Sequence, residues 1–401
     1  MRFATGVEEQ LASAKDDRIR VLIAGAGVAG LTLAAALRGD GLHPVVVERA
    51  APDADEGYML ALMPIVDPVM EKIGADSEYR SRSQPLHRYR MRDRHGHTLR
   101  TYLMDSLLAS FGDYRGIARG DLLAVLSATG VPVSFETHVS GLEQTPDVTR
   151  ASITDAAGGS AGADFDLVIA ADGLHSQTRK LVLREDQVET FDSGWGGWVA
   201  WSESVPDEAD LSDEIWGAGF FLGTYPVEGK IGVILCGDRR DTEIGPAQFV
   251  RRARADLRIT EKRETDALNA VASASDPYFW QLTDCRAAMW SVGRVGLIGD
   301  AAAGFLPTAG IGAAMAMEAA GQLAKRIATT DRQGIIAMLQ DYERAERPRV
   351  EAAQDNSRQL ARLVFRRNEA VSAVRDVAAR FIPLNVALGP IRKLHEEAPA
   401  A

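Results

Sequence analysis

The chain has 401 residues, with 45 basic against 56 acidic side chains, a net charge of −11 and two cysteines, Cys236 and Cys285. That balance argues against nucleic acid or an anionic membrane as the main partner, and two cysteines make no disulfide framework, so a reducing cytoplasm is the plain reading. The length suits two intimately joined domains better than one core.

Residues 1–18 carry Glu8, Glu9, Asp16 and Asp17 where a secretion signal needs an apolar centre, and they read as a short extension. The organising stretch follows, from Arg20 to Arg49. Val21 to Ala24 has the length and apolarity of a strand; Gly25, Gly27 and Gly30 follow in the spacing G-x-G-x-x-G, and Leu31 to Leu37 then reads as helix. The spacing has a physical reason. Gly25 lets a strand turn sharply, Gly27 lets backbone approach a pyrophosphate, Gly30 lets the helix sit close to the strand, and the helix N-terminus offers free N–H groups to phosphate. His43 to Val47 is the second strand, ending in Glu48, a carboxylate placed for a ribose 2′-OH. The unit binds an ADP-containing dinucleotide, and FAD and NAD both fit at this point. No apolar run is long enough to span a bilayer.

Ala50 to Glu56 is a polar loop, and Val66, Val69, Met70 and Ile73 recur at helical spacing. Tyr89 to Tyr102 reads as two strands around the turn Asp93 to Gly96. His87, His95 and His97 have no carboxylate or cysteine partner in register, so no metal is expected. Ile117 to Asp121 leads into a small helix, Leu122 to Leu126, where Arg119 taken alone is a surface charge. Val131 to Ala171 reads as a β-meander ending in Ala171-Asp172-Gly173.

Trp195, Trp198 and Trp201 share a strand, with Trp195 and Trp201 on one face. Strands at 220–225 and 230–236 extend an antiparallel sheet whose aromatic face is either core or the wall of a planar ligand site. Phe249 to Asn269 is helical. Val295 to Ile298 closes the nucleotide sheet and runs into Gly299-Asp300. Pro307, Gly310 and Gly312 form a close-approach loop before a long alanine-rich helix, whose first amides suit an anionic ring edge. Tyr342 to Leu363 continues as helix, and Arg375 to Leu388 forms a last helix broken at Pro383.

GAGVAG with Glu48-Arg49, Ala171-Asp172-Gly173, and Gly299-Asp300 with Pro307-x-x-Gly310-x-Gly312 together resemble the group A FAD-dependent monooxygenases, over roughly residues 19–365. This is the family of para-hydroxybenzoate, salicylate and tetracycline-modifying hydroxylases. The resemblance implies an α/β fold: a Rossmann-like FAD-binding domain (19–80, 103–185 and 290–345), an antiparallel β-sheet substrate domain (81–102 and 186–289) and C-terminal helices (346–401). It implies that Gly25, Gly27, Val28, Ala29 and Gly30 surround the pyrophosphate and Glu48 takes the ribose. Arg49, Arg119 and Val139 join the cofactor site, and Asp172-Gly173 supports FAD and a transient nicotinamide. Gly299-Asp300 reaches the ribityl chain, and Pro307 with Gly310, Ile311, Gly312 and Ala313 lies beside the isoalloxazine. Trp201, Phe221 and Tyr225 are the expected substrate contacts.

The implied chemistry is reduction of FAD by NADH or NADPH, addition of O2 at flavin C4a to give a hydroperoxide, and attack on it by an electron-rich carbon of a small aromatic or polyketide-like substrate. No protein nucleophile is required, no catalytic base is named, and a monomer or homodimer is expected. The chain departs from the family's GDAAH and P-x-x-G-x-G-x-N-x-A-x-E-D-A patterns at Ala303, Ala314 and Ala319, keeping Glu318. Two rival readings stand beside this one. A same-fold flavoenzyme without oxygen transfer (halogenase, reductase or non-redox cyclase) is one, although the halogenase W-x-W-x-I-P spacing is not met. An NAD-dependent dehydrogenase is the other, and it leaves Gly299-Asp300 and the Pro307 loop unexplained.

Overall fold

Val21–Ala24 (β1) has four buried residues in succession, the pattern of a strand covered on both faces. Gly25 turns the chain at φ +109°, Val28–Gly39 (α1) follows, and Val45–Val47 (β2) returns parallel to β1 with Val45 opposite Leu22. Arg88–Asp93 (β3) and Thr98–Leu103 (β4) form the expected hairpin. Leu167–Ala170 (β5) lies parallel to β1 on its other side. Val188–Glu203 (β6), Leu211–Trp216 (β7), Phe220–Val227 (β8), Lys230–Asp238 (β9) and Tyr278–Ala287 (β10) come next. Val295–Leu297 (β11) then pairs with β5, and two long helices follow, Gly312–Thr329 (α2) and Ile335–Val364 (α3). The computed structural model describes residues 3–52, 57–108, 110–258, 261–275, 277–381 and 389–396.

The protein is a Rossmann-like α/β layer joined to an antiparallel sheet. The first sheet runs Ser291–Val292, β11, β5, β1, β2, and is parallel apart from its first pair; α1 and α2 pack on each other beside it. The second has eight strands, Ala303–Gly304, β10, β6, β9, β8, β7, β3, β4, antiparallel except where β7 runs beside β3. The halves meet closely: a Cβ on Gly116, in the strand Arg115–Ala118, would lie 2.1 Å from the Pro226 carbonyl oxygen of β8. Among the described residues no helix is long and apolar enough to cross a membrane.

Several sequence expectations change. The meander is Thr137–Gln144, Thr149–Asp155 and Ser160–Phe165, while the run expected to end it is β5 of the other sheet. The small residues of Ser160–Phe165 hide a strand, whereas the fully buried LVIA has the two-sided apolarity that a parallel sheet demands. The N-terminal segment is built into the fold: Phe3–Ala4 pairs with Pro132–Val133, and the buried Gln10 side chain both donates to and accepts from Val46 and donates to Ser134. His87 and His97 do have carboxylate partners, Asp105 at 2.8 Å and Asp93 at 3.2 Å. The helix expected from Tyr342 starts at Ile335 and crosses the 345/346 boundary. In place of the last helix expected over Arg375 to Leu388, a helix spans Glu369–Ala379, residues 382–388 lie outside the described residues, as do 53–56 of the polar loop, and a further helix follows at Gly389–Glu396.

Candidate active site

A cavity of about 370 Å³ is lined by residues of both halves. At one end the N-termini of α1 and α2 reach it together, through Gly27, Val28 and Ala29 from the first and Ile311, Gly312 and Ala313 from the second. Among the described residues neither helix start is capped by a side chain. Two sets of backbone N–H groups and two positive dipole ends therefore serve one space.

The glycines divide by what they meet. A Cβ on Gly30 would lie 1.9 Å from the Gly25 carbonyl oxygen, and one on Gly25 would lie 2.4 Å from that of Ala171, so these two allow strand, helix and the Ala171 turn to close on each other. A Cβ on Gly27 or Gly173 would meet nothing within 4 Å, and both residues line the cavity. Their bare backbone leaves room for a ligand, and amides facing that room fit a pyrophosphate. Gly310, at φ +59°, needs the left-handed region to start the last turn before α2.

Glu48 sits at the end of β2, where it accepts from Ala26 N and Ala50 N at 2.8 Å each. It fastens the glycine loop to the strand end. Arg49 is exposed beside it. Asp172 accepts from Gln177 N and Thr178 N at 2.9 Å each and from the Ser176 hydroxyl, so it caps the short helix Gln177–Lys180. Arg119, Gly173, Asp300, Pro307 and Gly310 line the cavity; Gly299 lies behind it, where a Cβ would come 2.9 Å from that of Ala29. Asp300 is open to the cavity but deep within the surrounding protein, which pushes its carboxyl up to about 6 against the pull of Arg119 and Arg179. Water in the cavity moderates that rise and a ligand that displaces the water restores it. Val139 is buried opposite Ile153, away from the cavity wall.

Of the three expected substrate contacts, Phe221 and Tyr225 line the cavity and Trp201 does not. Trp201 stands opposite Gly232 near the far end of β6, with the Lys230 ammonium 3.8 Å from its ring centroid. Trp195 stacks on Phe365 at 4.3 Å and Trp198 meets Phe279 at 4.7 Å with the rings tilted by 50°, so both serve packing. Ala303 and Ala319 line a second cavity of only about 10 Å³, with Trp290 and Gly312; Ala314 is fully buried.

The residue that sequence reasoning missed is Glu214. Tyr225 donates to its Oε1 at 2.6 Å; Tyr89 at 2.6 Å and the Trp216 indole at 2.8 Å donate to its Oε2. Burial pushes its pKa up and the three donors pull it down, with a net rise. The signal was present in Leu211–Trp216: Glu214 and Trp216 alternate on one face of a buried strand, which turns a carboxylate inward.

A family model described as the FAD binding domain matches residues 18–357. Two relatives are a 2-heptyl-3-hydroxy-4(1H)-quinolone synthase of Pseudomonas aeruginosa, 30% identical over 342 residues and covering 81% of this chain and 85% of its own, and the 3-amino-4-hydroxybenzoate 2-monooxygenase PtnB3 of Streptomyces platensis, 28% identical over 356 residues and covering 85% of this chain and 87% of its own. Among solved structures, HpxO of Klebsiella pneumoniae complexed with FAD and uric acid is similar at a TM-score of 0.80 and 22% identity, over 95% of this chain and 97% of that one.

Proposed function

The chain belongs to the FAD binding domain family of group A flavin-dependent monooxygenases and is an FAD-dependent oxidoreductase; from that premise we propose that it hydroxylates a small aromatic substrate at the cost of NADH or NADPH and O2. The observation that carries the reading is the meeting of two uncapped helix N-termini at a cavity whose other wall is aromatic. When bound, the flavin supplies the redox chemistry, taking electrons from the nicotinamide and passing one oxygen atom of O2 to the substrate.

The chain's own residues bind, orient and exclude water. The amides of Gly27 to Ala29 hold the pyrophosphate, and those of Ile311 to Ala313 stabilise negative charge at the edge of the ring. Glu48 positions the glycine loop, Arg119 and Asp300 flank the ribityl chain, and Phe221, Trp280, Leu360 and Phe365 keep the reacting face dry.

Stopped-flow reduction of the purified yellow protein by NADH and by NADPH, with and without a phenol or quinolone, then mixing with oxygen, tests this. Accelerated flavin reduction followed by hydroxylated product supports the proposal. A bound flavin that neither nicotinamide reduces under any condition overturns it.

A further inference from the structure

The part of the cavity walled by Tyr89, Glu214, Trp216, Phe221 and Tyr225 has an unusual polar character. Among the described residues that line the cavity, the charged ones are Arg119, Glu214 and Asp300, and the Arg119 guanidinium lies in the field of Asp300. Glu214 is thus the charge that this wall of the cavity presents. A carboxylate held there is expensive unless something uses it, since an apolar residue of similar size would pack without desolvating an ion.

The cluster's donors are spent internally. Tyr89 and Tyr225 give their hydroxyl protons, and Trp216 its indole proton, to Glu214. An ionised carboxylate has about four acceptor positions, and three are filled here, with Oε1 taking only the Tyr225 proton. What the wall still offers a ligand is lone pairs: one on Glu214 Oε1 and those on the two phenol oxygens.

We infer that this cavity selects an uncharged aromatic substrate bearing an O–H or N–H donor, anchors that donor on Glu214, and rejects ring carboxylates. The inference rests on the hydroxylase reading of the same cavity and narrows it. A donor on an electron-rich ring satisfies the open lone pair, and its partial loss of the proton to the carboxylate raises electron density on the ring carbons. A ring carboxylate brings a second negative charge to this wall and no donor for its open lone pair.

The test is isothermal titration of the FAD-loaded protein at pH 8 with two matched pairs: 2-aminophenol against 3-amino-4-hydroxybenzoate, and 4-quinolone against 4-quinolone-2-carboxylate. The expected result is binding of the neutral member about a hundredfold tighter in each pair, the scale of a buried like-charge contact. Glu214→Gln, whose amide also donates, is expected to narrow the ratio at least about tenfold, by weakening the neutral member and admitting the acid. Equal or tighter binding of the acids, no binding of either neutral compound at millimolar concentration, or an unchanged ratio in Glu214→Gln each overturns the inference. If that variant loses its FAD, the wild-type pairs decide alone. Flavin content and reduction by nicotinamide are recorded separately, so a colourless or unreducible protein counts against the hydroxylase reading, whereas the titration counts for or against the pocket.

Discussion

Arg179 donates to the Ala301 carbonyl oxygen at 2.8 Å and, through its other terminal nitrogen, to that of Leu174 at 2.8 Å. One buried guanidinium thereby ties the loop after β5, which carries Asp172 and Gly173, to the loop after β11, which carries Gly299 and Asp300. Its own backbone N–H is received by Ser176, whose hydroxyl in turn donates to Asp172. Arg179→Met keeps much of the volume and removes the donors, leaving the buried Ala301 carbonyl and the half-buried Leu174 carbonyl each short of one partner. The expected cost is about 2–4 kcal/mol of stability, with FAD affinity at least about tenfold weaker because both loops border its site. Urea unfolding and FAD titration measure the two effects, and a variant unchanged in both contradicts the assignment.

The glycine loop makes a sharper contrast. Gly27→Ala puts its methyl into open space at φ −77°, an ordinary conformation, so the apoprotein is expected to fold with a loss of no more than about 1 kcal/mol, the preference of a helix cap for Gly over Ala. Its FAD affinity should nevertheless fall by at least about tenfold, because that methyl occupies ligand space. Gly30→Ala puts its methyl 1.9 Å from the Gly25 carbonyl oxygen, so the strand-to-helix turn itself must move. Circular dichroism of the two apoproteins should separate them, and equal damage in both would contradict the division between packing and ligand glycines.

Glu346 makes stability depend on pH. It is fully buried in α3; among the described residues neither carboxylate oxygen has a hydrogen-bond partner, and Arg349 lies 3.8 Å away and donates instead to Glu318 at 2.6 Å. Burial, with Glu318 adding to it, pushes the carboxyl up from 4.5 to about 7. The folded state therefore holds a proton that the unfolded chain releases near pH 4.5, so this contribution is complete below that pH and is lost as pH rises through about 7. Glu346→Gln should remove it, leaving the variant more stable than the parent at pH 8 by as much as about 3 kcal/mol and little different at pH 4.5. Remaining slope of the same sign is shared by Asp67 and Asp300, each raised to about 6, by Glu264, raised to about 7, and by Glu214, Glu318 and Asp376, which burial also pushes up. Equal pH profiles for parent and variant would rule Glu346 out as the source.

What could be read from sequence followed from how local each constraint is. Gly25, Gly27 and Gly30 declare themselves because a strand, a turn and a helix within one short stretch leave few residue types possible, and Gly310 with Gly312 does so for the same reason. Glu214 stays hidden because the groups that give it meaning, Tyr89 and Tyr225, arrive from two other strands, one of them 125 residues away. Arg179 is hidden likewise, since its acceptor Ala301 is 122 residues distant. Gln10 looks like one more polar residue in a charged extension until β2 and Ser134 close around it. Periodicity reports which face is buried, and it cannot report what the buried group meets.

The aromatic residues of the antiparallel sheet divide by the same logic, and the division can be measured. Phe221 and Tyr225 are on β8, where their side chains reach the cavity; Trp201 is on β6, outside the cavity lining, under the Lys230 ammonium. Truncating a cavity residue removes contacts that a bound ring makes, whereas truncating Trp201 removes a half-exposed cation–π pair of about 0.5–1 kcal/mol. Phe221→Ala should raise the KM for a hydroxylated aromatic by about tenfold or more, the transfer free energy of much of a phenyl contact. Trp201→Phe should leave KM and kcat within about twofold, the size of surface effects. Steady-state NADH or NADPH oxidation coupled to product analysis gives both parameters for each variant. A large KM effect at Trp201 with none at Phe221 would move the substrate to the other end of the sheet and with it the role assigned to Glu214.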